Sequence, residues 1–128
     1  MTTTDDIEGV RRLLAEYCLA ADECRYDDWA RLFGDDGVMV AFRRDWSGFE
    51  ALTGFISNAP QGLHLNTSVR IDIDGDQATA LSNFVFFNLD RELSSMGLYA
   101  DTLIREGDGW RFARREIRMA KPVQPQSD

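Results

Sequence analysis

Residues 63–89, LHLNTSVRIDIDGDQATALSNFVFFNL, alternate apolar and polar side chains on both sides of an Asp-Gly-Asp triplet at 74–76. A strand half-buried on one face requires alternation with period two, and a glycine between acids suits the tight turn of a hairpin. The stretch therefore reads as two antiparallel strands. The same texture continues in 96–106, MGLYADTLIRE, and, after a second turn signal at 107–109, in 110–119, WRFARREIRM. Four successive strands joined by short turns make an antiparallel meander.

The chain before this point has the helical period. Thr3 or Thr4 opens a helix whose first turn carries Asp5, Asp6 and Glu8 near the positive end of the dipole. Ile7, Val10, Leu14, Cys18 and Ala21 then fall on one face, as a helix packed on a core requires. A second short helix is expected over 27–33, broken by Gly-Asp-Asp-Gly at 34–37. A strand is expected at 38–42, VMVAF, and a third helix over 47–58, ended by Pro60 and Gly62. Helices first and a meander after them give an α+β domain over 1–120, with 121–128, KPVQPQSD, as a polar tail. A curved antiparallel sheet wrapped on a long helix encloses a conical cavity.

Charge and composition narrow the partners. The chain has a net charge of −8, so it lacks the basic footprint that a phosphate backbone demands, and nucleic acid is not expected. Residues 1–36 hold ten acids against four arginines, whereas 105–118 hold five arginines against three acids. No apolar run reaches the ~20 residues of a membrane span, and MTTTDDIEGV lacks the blocks of a leader peptide, so a cytoplasmic protein is expected. Cys18 and Cys24 are poorly placed to pair with each other, and a single histidine argues against a Cys/His metal site. No metal and no cofactor are expected.

Two residues stand out for chemistry. Asp22 lies four positions after Cys18, on the edge of the apolar helix face, while Glu23, Asp27 and Asp28 fit that face less well. His64, the one histidine, begins the first meander strand and shares a strand face with Asn66. A carboxylate in an apolar surrounding needs a partner, and an imidazole N–H is one. The residues alone leave open whether Asp22 meets His64 or an arginine. If the two pair, the carboxylate sets the imidazole tautomer and leaves the other ring nitrogen to act as a base.

The order of YCLAADECRYDDWARLF, GFEALTGFI, HLNTSVRIDIDGDQATA and GLYADTLIREGDGWRFARREI, spanning roughly 5–118, resembles the SnoaL-like branch of the NTF2-like superfamily. That resemblance implies a curved antiparallel sheet on a long N-terminal helix and two shorter ones, forming a cone with a deep apolar pocket. Relatives include scytalone dehydratase, hexachlorocyclohexane dehydrochlorinase, polyketide cyclases and the small subunits of ring-hydroxylating dioxygenases. In the dehydratases and the dehydrochlorinase a helix Asp pairs with a strand His, and Asp22 and His64 match those positions. Arg105 matches the dehydrochlorinase arginine, and Tyr17 and Tyr99 fall where relatives place pocket groups. The second histidine of scytalone dehydratase has no counterpart here.

The expected function is a cofactor-independent lyase or isomerase acting on a small, largely apolar cyclic molecule. Its expected catalytic residues are Asp22, His64 and Arg105. Tyr99 and Asn66 are expected to steady charge, and Tyr17, Trp29, Met39, Phe84, Phe86 and Leu103 to line the pocket. A homodimer or homotrimer is expected. A non-catalytic subunit, like the dioxygenase small subunits, and a ligand-binding module are the alternatives.

Overall fold

The computed structural model describes residues 2–120, so the tail expected at 121–128 lies outside the described residues. Helix α1 (Thr3–Asp22) starts from Thr2, whose hydroxyl accepts the Asp5 N–H while the Asp5 carboxylate accepts the Thr2 N–H. This reciprocal cap satisfies two amide groups that a helix start otherwise leaves unpaired. Its buried face holds Val10, Leu14, Cys18 and Ala21 as the period predicts, joined by Leu13, Tyr17 and Ala20. Ile7 is only half-buried.

The second helix is shorter than expected. Helix α2 (Tyr26–Ala30) ends before Phe33, and strand β1 (Phe33–Ala41) runs straight through the Gly-Asp-Asp-Gly segment. That segment does not end a helix; it forms an irregularity within the strand, where the register against the sheet shifts between Phe33 and Val38. Gly37 permits it, because a Cβ there would lie 2.6 Å from the Phe112 carbonyl oxygen. A short strand that the sequence reading did not anticipate, β2 (Arg44–Ser47), pairs back on β1. The two are joined by Phe42 and Arg43, both at positive φ (54° and 61°). A two-residue hairpin turn of this kind favours Asn-Gly, and each L side chain held there costs roughly 1–2 kcal/mol.

Helix α3 (Phe49–Ser57) follows, then the meander β3 (Gly62–Asp74), β4 (Gln77–Asn88), β5 (Leu93–Glu106) and β6 (Gly109–Met119). Both expected tight turns are present, with Gly75 and Gly107 at positive φ. The sheet order is β2-β1-β6-β5-β4-β3, antiparallel except for the parallel pairing of β1 with β6. The sheet is curved and unclosed. It packs one face against α1, with Phe84, Tyr99, Leu103 and Phe112 buried in the shared core. On β5, Tyr99, Asp101 and Leu103 point inward while Leu98, Ala100 and Ile104 are half-covered on the other face.

Candidate functional site

The last residue of α1 and the third residue of β3 meet. The Asp22 Oδ1 lies 2.6 Å from the His64 Nδ1, and the Asp22 Oδ2 accepts the His64 main-chain N–H at 2.9 Å. Side-chain exposure falls to 12% for Asp22 and 20% for His64, so the pair is largely shielded from water. With both carboxylate oxygens engaged by one residue, Nδ1 carries the proton and Nε2 is the nitrogen left free for a ligand. The Phe86 ring packs against the imidazole, with centroids 4.5 Å apart, and limits its rotation.

A cavity of about 270 Å³ opens beside this pair. Small-molecule sites span ~300–1,000 Å³, and a cavity just under the lower end of that range suits a compact ligand of one or two rings. Of the residues expected in the site, Asp22, His64, Tyr17, Phe84, Phe86 and Tyr99 line it. Phe84 and Tyr99 stack with centroids 4.5 Å apart, and Tyr17 meets Tyr99 edge-on at 5.5 Å. Tyr26, Phe42, Phe55, Ile117 and Met119 also line the cavity and were not anticipated. Ile117 and Met119 were within reach, because they share a strand face two residues apart on β6.

Five expected residues lie elsewhere. Trp29, Met39 and Leu103 are buried in the core and do not line the cavity. Asn66 donates to the Ser82 hydroxyl at 3.0 Å and to the Asn83 carbonyl at 2.9 Å, locking β3 to β4. Arg105 sits at the other end of the sheet, bonded to Asp6 at 2.5 Å and Asp76 at 3.1 Å and lying over the Trp110 ring. Phe86, beside His64, is in register with Ser95, ten residues before Arg105, a strand distance of about 30 Å. Arg105 clamps the start of α1 to the sheet and does not reach the cavity.

The arginine near the site is Arg115, which the sequence reading did not single out. It is 0% exposed, and Asp101 accepts from its Nε at 2.7 Å and from its Nη2 at 2.9 Å. The guanidinium lies 3.7 Å from the Tyr99 ring centre, 4.2 Å from that of Tyr17 and 4.5 Å from that of Phe112. Its Nη1 is buried without a hydrogen-bond partner. Burial alone would favour the neutral guanidine, but the Asp101 carboxylate outweighs it and holds the pKa above the ordinary arginine value. A buried cation thus stands directly behind two tyrosines that face the cavity. Alternation from the buried Trp110 and Phe112 would turn Arg114 inward; a register shift on β6 after Phe112 buries Arg115 instead, so no sequence signal marked it.

Burial pushes the Tyr17 hydroxyl up to about 12 and raises that of Tyr99 well above the usual phenol value. Both remain donors at neutral pH. The Tyr17 hydroxyl donates to a weak acceptor, the Met39 sulfur, at 3.9 Å. Burial also pushes the Cys18 thiol up to about 11, which keeps it an inert packing group. Cys24 is exposed, and both cysteines are free. Glu23 and Asp28 pair with Arg25 at the surface, each at 3.2 Å. Among the described residues no cluster of His, Cys, Asp or Glu is arranged to hold a metal ion, and no helix is long and apolar enough to cross a membrane.

A SnoaL-like domain model matches residues 2–116. The chain belongs to the SnoaL-like domain family. Among relatives of this SnoaL-like chain, the uncharacterized protein Rv2910c of Mycobacterium tuberculosis is 29% identical over 119 residues, covering 83% of this chain and 80% of the relative. The structure of an Asp-to-Asn variant of Rv3472, a protein of unknown function from Mycobacterium tuberculosis, superposes with a TM-score of 0.89 at 28% identity, covering 94% of this chain and 80% of that one. LinA superposes with a TM-score of 0.79 over 92% of this chain and 88% of its own, and at 14% identity it shows the fold alone. That fold is the cystatin-like, NTF2-like cone.

Proposed function

We propose that this protein is a cofactor-independent lyase or isomerase that removes a proton from a small, largely apolar cyclic substrate. The observation carrying this reading is the double engagement of Asp22 by His64, which commits the imidazole to one tautomer and frees Nε2 beside an apolar cavity. His64 takes the proton, and Asp22 holds the ring and stabilises the imidazolium that forms. Negative charge then develops on a substrate oxygen or leaving group. The Tyr17 and Tyr99 hydroxyls are kept protonated, and the Arg115 charge behind them favours that build-up. The apolar walls exclude water and strengthen each of these interactions. Dehydratases and a dehydrochlorinase among the proteins that the sequence resembles support the same reaction class.

Proton abstraction can be measured before the natural substrate is known. In deuterated buffer the protein is expected to speed exchange of the α-hydrogens of cyclic ketones such as 1-tetralone, followed by NMR, and His64→Ala is expected to lose that acceleration while keeping its circular dichroism spectrum. Equal exchange by the two proteins would sink the proposal.

We also propose that the chain works as a homodimer or homotrimer. On the outer sheet face Leu63, Leu65, Leu93 and Met96 are exposed, and the register sets Val85 and Phe87 between them. A continuous apolar band of this kind is uncommon on a monomer. Light scattering is expected to give two or three times the 14.5 kDa chain mass, and a 14.5 kDa particle would refute the assembly.

A further inference from the structure

The turn between β1 and β2 breaks a local rule without a packing return. Phe42 and Arg43 both hold positive φ where glycine or asparagine would sit without strain, and Phe42 is still 71% exposed. A core contact does not explain why an aromatic occupies this position. Strain retained by a chain without structural gain points to use at a site.

The surroundings say which site. Phe42 lines the cavity beside Asp22 and His64, and it also lines a second hollow of about 570 Å³ between β2 and α3. Phe55, Ala59 and Pro60 are shared by the two hollows as well. These three are held by α3 and the segment after it, and Phe55 is pinned by Trp46 at 5.0 Å and by Trp29 at 6.1 Å between ring centres. Phe42 has no ring partner among the described residues. The partition between the hollows is therefore rigid on one side and a free phenyl ring on the other.

We propose that Phe42 is the specificity-determining wall of the cavity mouth. With its ring turned toward Phe55 it closes over a compact one- or two-ring ligand and completes the apolar enclosure around it. With the ring turned away, the cavity and the groove join into one slot, and a longer ligand passes between Phe42 and Phe55 toward Trp46. The inference rests on the cavity being the ligand site, as the proposed function holds.

His64 is the chain's one histidine, so its ring protons give a single set of NMR signals that report occupancy of the cavity directly. The probe is 2-naphthol, titrated into the wild type, Phe42→Ala and Arg43→Gly. The wild type is expected to show a saturable His64 shift. Phe42→Ala is expected to weaken 2-naphthol about tenfold and to bind the longer 4-phenylphenol at least as well as the wild type does. Arg43→Gly relieves turn strain but keeps the ring; it is expected to raise Tm and leave the affinity for 2-naphthol unchanged. Equal affinity in Phe42→Ala and wild type would overturn the inference while leaving the cavity reading intact. An equal loss in Arg43→Gly would overturn it too, by assigning the effect to the backbone. A wild type whose His64 signals never move would overturn the cavity reading and this inference with it.

Discussion

Asp22→Asn is expected to lower turnover by roughly 10²–10⁴-fold while leaving the protein folded, because it reverses the imidazole tautomer. The carboxylate accepts from two of the three His64 nitrogens, the ring Nδ1 and the main-chain N. An asparagine keeps one acceptor oxygen. If that oxygen stays on the main-chain N–H, the amide NH₂ faces Nδ1 and turns it into an acceptor. The ring proton then moves to Nε2, and the nitrogen facing the cavity has no lone pair with which to take a proton. Shape and burial hardly change, so Tm and the circular dichroism spectrum are expected to stay close to wild type. The readout is the exchange assay: a kcat loss with an unaltered fold supports the orienting role, whereas an active Asp22→Asn protein would show that tautomer control is irrelevant.

Asp101→Ala is expected to destabilise the fold by about 3–5 kcal/mol, the largest stability effect anticipated for one substitution here. Arg115 is fully buried, and among the described residues Asp101 is the only carboxylate bonded to it. Removing that carboxylate leaves a guanidinium among Tyr17, Tyr99 and Phe112, where ring faces offset only part of its desolvation. Urea denaturation measures the loss, and a change below about 1 kcal/mol would mean that water or a shifted side chain already satisfies the cation. The double change Asp101→Leu with Arg115→Met removes both charges and is expected to recover most of the stability, since apolar replacements of a buried pair are often neutral. It is not expected to recover turnover, because the charge behind the tyrosines is gone. Stability returning without activity would separate what the pair does for folding from what it does for the site.

Much of the fold was legible because its signals are local. Alternation in 63–89 and 96–119 announces the meander, Gly75 and Gly107 mark its turns, and the apolar period of 7–21 marks the long helix. What escaped prediction is non-local or runs against local preference. Strand β1 passes through Gly-Asp-Asp-Gly because β6 supplies a parallel partner 79 residues beyond Phe33, at Phe112, and because a bulge absorbs the extra residues. Strand β2 was hidden because its turn uses Phe42 and Arg43 in place of turn-forming residues.

The same division separates the parts of the site. The sequence alone places Asp22 on the edge of an apolar helix face and makes His64 the one imidazole available to it, because helix period and composition are properties of the chain itself. Which arginine stands behind the cavity is a question of depth, and charge and strand parity are silent on depth. Arg105 and Arg115 both lie in arginine-containing strands. The sheet register sends Arg105 to a surface clamp with Asp6 and Asp76, and carries Arg115 into the core beside Asp101. Only the tertiary structure decides that, because a buried charge is tolerated solely where another strand brings its counter-ion within hydrogen-bonding distance.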